Sequence, residues 1–148
     1  MQSLMKKLSS IVIALVVMST ISVGSLAAYA YFDNNFDYKF TIKASQAVSK
    51  YSEKEYRNTY NNNNAWKVNL RSSGEGSNTV TKFRLCLADN SGVSSWHNVT
   101  QGSGAHYYAA WDGADHTYVY LQGENNNNTT KTYTVSGYWD EETGINPD

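Results

Sequence analysis

The stretch "DYKFTIKA", Asp37–Ala44, decides how this chain is read. Tyr38, Phe40, Ile42 and Ala44 fall on one phase of a two-residue repeat, and Asp37, Lys39, Thr41 and Lys43 fall on the other. Successive side chains of a strand point to opposite faces, so this pattern describes a strand with one dry and one wet side. The same alternation returns in Trp66, Val68 and Leu70 against Lys67, Asn69 and Arg71. Antiparallel sheets with one solvated face require it.

Downstream of Asn78 the chain reads as strands separated by turns. Strands are expected over 79–87, 94–101, 106–111, 117–122 and 132–139. The intervening "ADNSG", "GSG", "DG" and "GENNNNTT" are rich in residues that tolerate turn conformations. The last two strands are expected to pair as an aromatic hairpin. "ASQAVSKYSEKEYRNTY", residues 44–60, stays open: Ala44, Ala47, Val48 and Tyr51 match helical spacing, and Ser52 with Glu55 resembles a capping box, but an irregular crossover fits equally. About seven short strands at this spacing predict an all-β fold, an antiparallel β-sandwich or flattened barrel. Its expected core is Phe40, Ile42, Trp66, Val68, Leu70, Phe83, Leu85, Trp111, Val119, Leu121, Val135 and Trp139.

The N-terminal end has a different character. Lys6 and Lys7 precede an apolar run at Ile11–Val17, and Ala28-Tyr29-Ala30 places small residues where a signal peptidase reads them. Residues 1–30 are therefore expected to be a cleaved secretory signal, with a single domain over 31–148 beginning at Tyr31. An uncleaved anchor is the alternative, but Ser19, Thr20, Ser22, Gly24 and Ser25 dilute the apolar span. The expected location is extracellular, with no integral membrane segment after cleavage.

Removing Lys6 and Lys7 leaves 10 basic residues against 13 acidic ones. No basic run appears in the sequence, so nucleic acid is not an expected partner. Cys86 is the sole cysteine, so no internal disulfide forms and the domain relies on its core. In "FRLCLAD" Cys86 shares the phase of Lys82 and Arg84, opposite Phe83 and Leu85; a packed structural thiol is expected there.

Catalytic signals are weak. His97, His106 and His116 lack the short spacings of metal ligands, so no metal and no cofactor are expected. No nucleophile elbow or phosphate loop occurs; "QGSGAH" has the wrong spacing. Glu53, Glu55, Glu141 and Glu142 supply carboxylates for a glycosidase pair, but each sits in a polar run where solvation is the default. The asparagine tracts at 61–64 and 125–128 read as loops, or as a polar rim binding sugar hydroxyls or a cation. The aromatics carry more information. Tyr107/Tyr108, Tyr118/Tyr120, Tyr133 and Tyr138/Trp139 crowd the last strands, and adjacent rings must point to opposite faces. One face is core; the other is an exposed strip or is covered by a second sheet. Candidate ligand-binding residues are Tyr108, Tyr118, Tyr120 and Tyr138.

"AWKVNLR" at 65–71, "QGSGAHYY" at 101–108 and "VSGYWDEET" at 135–143 resemble a family of small secreted Gram-positive proteins, domain of unknown function 2712. The resemblance covers most of residues 31–148. It implies a signal peptide and a β-rich domain, and it brings no catalytic residues. More remotely, size, export and strand pattern are similar to lactococcin 972-like bacteriocins, secreted β-sandwiches acting at the cell envelope, although this chain is longer and acidic and has none of their specific motifs. The combined expectation is a secreted, non-enzymatic β-sandwich binding a cell-envelope polymer or protein, with bacteriocin-like action as one form of it. A carbohydrate-binding module and a small secreted hydrolase are the alternatives.

Overall fold

The computed structural model describes residues 33–148; the expected signal segment lies outside the described residues. Eight strands follow in order: β1 (Phe36–Ile42), β2 (Ser49–Arg57), β3 (Trp66–Ser73), β4 (Val80–Cys86), β5 (His97–Thr100), β6 (Ala105–Tyr108), β7 (Thr117–Asn125) and β8 (Tyr133–Asp140). A 3₁₀ turn, Asp112–Ala114, precedes β7. The strands form two four-stranded antiparallel sheets, ordered β1-β8-β3-β6 and β2-β7-β4-β5, in a sandwich-like arrangement.

The alternation in Asp37–Ala44 sets the first layer. Tyr38 and Ile42 are buried while Asp37, Lys39 and Thr41 are exposed, and Phe40 lies opposite Val135 in the register with β8. The two inner faces meet through rings: Tyr38 of β1 lies 5.7 Å from Phe83 of β4. Gly123 of β7 leaves the space that Ile42 and Phe40 fill; a Cβ there would lie 2.6 Å from Ile42 Cδ1 and 3.0 Å from Phe40 Cζ. Trp66, Val68, Leu70, Phe83, Leu85, Val119, Leu121, Val135 and Trp139 are fully buried between the sheets, joined by Tyr38 and Val99.

Several expectations need correction. The open segment after Ala44 contains a strand, β2, instead of a helix. A bulge between Lys50 and Lys54 slips its register against β7, and this slip hides the period of two. The strand count is therefore eight. β7 and β8 do not form a hairpin, because they lie in different sheets: β8 pairs with β1 and β3, and β7 with β2 and β4. The segment 94–101 is strand only from His97. Trp111 is half exposed and does not belong to the core: Ala110 occupies the buried position, bridged to Ser94, and Trp111 is turned outward at the start of the 3₁₀ turn. Phe40 is partly buried, packed against Tyr38 and Tyr51.

Candidate binding face

The outer face of the second sheet combines rings and cations. Register places Tyr56 of β2 opposite Tyr118 of β7, and Lys54 opposite Tyr120. The Tyr56 and Tyr118 rings are 5.1 Å apart at 72°, an edge-to-face pair. Lys54 Nζ sits 4.2 Å over the Tyr118 ring, and Lys50 Nζ sits 4.7 Å over Tyr120. Tyr60, which is 74% exposed, stacks on His116 at 3.8 Å, and His116 meets Tyr56 edge-on at 6.2 Å. The row runs on from Tyr60 to Tyr120 with a cation over each of the last two rings. Cys86 lies beside it, opposite Tyr120. The thiol is buried, which pushes its pKa up to about 11, as suits a packed group.

The face continues onto β4. The Arg84 guanidinium donates to Gln122 Oε1 at 2.7 Å and lies 4.5 Å over the Trp96 ring. Lys82 pairs with Glu124 at 2.7 Å. The cations Lys50, Lys54, Lys82 and Arg84 are scattered in sequence, and strand pairing gathers them on one surface. The absence of a basic run in the sequence therefore concealed a basic patch in space.

The four candidate tyrosines do not share a surface. Tyr118 and Tyr120 lie on the face just described. Tyr138 lies on the outer side of the first sheet, with Arg71 4.5 Å and Lys67 5.4 Å from its ring and with its hydroxyl accepting from Asn69 Nδ2 at 3.2 Å. Tyr108 shares the inward phase of Trp66 in β6 and stacks on His97 at 3.7 Å.

The carboxylates also depart from expectation. Glu141 is buried, not solvated, and beside it Asp140 is fully buried. Desolvation pushes both pKa values up, Asp140 to about 6 and Glu141 to about 9. Asp140 Oδ2 accepts from the Asn34 amide at 2.5 Å and lies 3.9 Å from Lys67 Nζ, contacts that favour its charged form. Nearby, the fully buried Arg57 donates to the backbone oxygens of Glu141 (2.5 Å), Asn64 (2.6 Å) and Asn61 (3.1 Å). Glu142 accepts from the amides of Asn58 at 3.2 Å and Thr59 at 3.0 Å, a structural task. Glu53 is exposed on β2 and Glu55 half-buried. Asn64 Oδ1 accepts from Gly144 at 2.7 Å and Thr143 at 3.1 Å, so the first asparagine tract fastens the C-terminal segment. The second tract begins at Asn125, the last residue of β7, and its end, Asn128, lines a cavity of about 570 Å³ with Gly74, Glu75 and Thr129–Tyr133. His106 Nε2 is bonded to Ser103 Oγ at 2.7 Å, and among the described residues no three His, Cys, Asp or Glu side chains converge as a metal site. Among the same residues no helix is long and apolar enough to cross a membrane.

These features define an all-β sandwich with an aromatic and cationic outer face. The chain belongs to the family described as "Protein of unknown function (DUF2712)", which matches residues 25–143. Comparison with curated proteins and with solved structures found no match. Nothing in these comparisons links the chain to the lactococcin 972-like bacteriocins.

Proposed function

We propose that this protein is secreted and non-enzymatic, and that it binds at the cell envelope of a Gram-positive bacterium through the outer face of β2, β7 and β4. The observation that carries this reading is the row Tyr56, Tyr118 and Tyr120 with Lys54 and Lys50 over the last two rings. Rings beside cations offer apolar contact and charge recognition together, which suits a hydrated, charged polymer. A module for neutral sugars fits less well, because it needs coplanar open ring faces, whereas Tyr56 and Tyr118 stand at 72° and lysines cover Tyr118 and Tyr120. A hydrolase is disfavoured by the burial of Asp140 and Glu141, neither of which lines the cavity beside Thr129–Tyr133.

The test is co-sedimentation with isolated cell walls. Wild type is expected to pellet with the walls, and Tyr118→Ala and Tyr56→Ala to stay in the supernatant while remaining folded, with losses of ~1 kcal/mol or less in urea unfolding. Equal sedimentation of wild type and both variants would overturn the reading.

A further inference from the structure

A cavity of about 310 Å³ opens at one end of this face, lined by Lys43, Val48, Lys50, Arg84, Asn90 and Gln122. Three cations line it and no carboxylate does. Among the described residues, the ion pairs engage Arg57, Lys67, Arg71 and Lys82, and none engages Lys43, Lys50 or Arg84. Asp89 is the acidic group near Lys50, and its Oδ1 is occupied by the Ser91 amide at 2.9 Å.

The arginine is held in advance. Gln122 is fully buried and accepts from Arg84 Nε; Asn90 O accepts from Nη2 at 3.4 Å; Trp96 supports the guanidinium plane. Gly92 completes the seat, since a Cβ there would come within 2.5 Å of Arg84 Nη1. A guanidinium fixed on one edge keeps its remaining N–H groups for a planar or tetrahedral oxyanion. Three like charges around one cavity repel each other, so the arrangement is complete when an anion enters. A net-acidic chain that gathers its cations on one surface also attracts anions selectively to that surface.

We propose that this cavity is an anion site that takes a phosphodiester group of a polyol-phosphate polymer, with neighbouring repeats lying along Lys54 and the tyrosine row. The proposal rests on the envelope-binding reading above and names the ligand chemistry for it. Lys50 and Lys54 lie opposite Gln122 and Tyr120, alternate positions of β7 and so roughly 7 Å apart along the strand. That spacing suits a chain with one charge per repeat better than a lone anion. Single-stranded nucleic acid needs open ring faces for its bases, and here lysines cover Tyr118 and Tyr120.

The experiment measures binding of the purified protein to immobilised poly(glycerol phosphate), with a single-stranded oligonucleotide of equal charge as the comparison and inorganic phosphate as competitor. Lys43→Gln and Arg84→Gln are each expected to weaken polymer binding about tenfold, as loss of one charge-assisted contact does, and phosphate is expected to compete. Lys43 is exposed, so its variant decides the matter if Arg84→Gln unfolds. Wild-type affinity in Lys43→Gln, or oligonucleotide bound as tightly as the polymer, overturns the proposal. If Lys43→Gln binds the polymer normally while Tyr118→Ala still fails to sediment with walls, the cavity assignment falls and the binding face stands. If wild type itself does not sediment, both fall.

Discussion

The carbonyl oxygen of Asn69 occupies the space that a side chain on Gly137 would need, and the Tyr38 hydroxyl donates to that same oxygen at 3.0 Å. β1, β8 and β3 are thus locked together at one point through a residue with no side chain. Gly137→Ala forces backbone against backbone and is expected to cost ~3 kcal/mol or more. Tyr38→Phe, which removes one hydrogen bond, is expected to cost ~1 kcal/mol. Urea unfolding of the two variants checks the order.

Trp139 is fully buried and Tyr118 is half exposed, although both are large rings on sheet centres. Trp139→Ala is expected to lose about 3–5 kcal/mol through cavity formation. Tyr118→Ala gives up one edge-to-face contact and one exposed lysine–ring contact, and is expected to lose ~1 kcal/mol or less. Equal losses in denaturant melts would mean that the outer face is covered.

The buried pair Asp140–Glu141 makes stability depend on pH with an unusual sign. Burial raises Glu141 from 4.5 to about 9, so between those values the folded protein holds a proton that the unfolded chain has released. Stability is then highest on the acidic side of this window and falls as pH rises through it. Glu141→Gln, which keeps the hydrogen-bonding shape without the charge, should flatten the profile and melt above wild type at about pH 8. Thermal melts across the window test this; an equally steep fall in the variant would refute the assignment.

Cys86 is expected to resist thiol reagents in the native state, because it is buried and its pKa is raised to about 11. Labelling should be complete in denaturant and negligible at neutral pH without it. Rapid native labelling, read by mass, would contradict a packed thiol.

If residues 1–30 are a cleaved leader, intact mass of the exported protein is expected to correspond to a chain starting at Tyr31. A product retaining residues 1–30 would show that the leader acts as an anchor.

The dry phases of β1, β3 and β4 were legible because Ile42, Val68 and Leu85 fall on an alternating apolar phase; the opposite phase was less so, since Lys67 and Cys86 on it are buried. β2 was not, since its bulge breaks the period and its outward residues Lys50, Lys54 and Tyr56 give no apolar phase. Tyr118 and Tyr120 could be placed on an outer face from Val119 and Leu121, which alternate with them. Their lysine partners come from a strand about 65 residues earlier in the sequence, so the basic surface depended on a pairing that no local pattern encodes. The buried Arg57 was hidden for a similar reason: its acceptors include the main-chain oxygens of Asn64 and Glu141, which carry no residue-type signal.

The strand order has a kinetic consequence. Of the pairings in the two sheets, β4 with β5 is the one between consecutive strands; β1 waits for β8, and β2 waits for β7. Contacts this distant make nucleation slow, because long loops must close before they are rewarded. A chain threaded N-terminus first through a translocation pore would therefore stay unfolded and pullable until Tyr133–Asp140 had emerged. Clipping that last strand during transit would leave β1 without a hydrogen-bonding neighbour, so a chain cut there could not complete the first sheet.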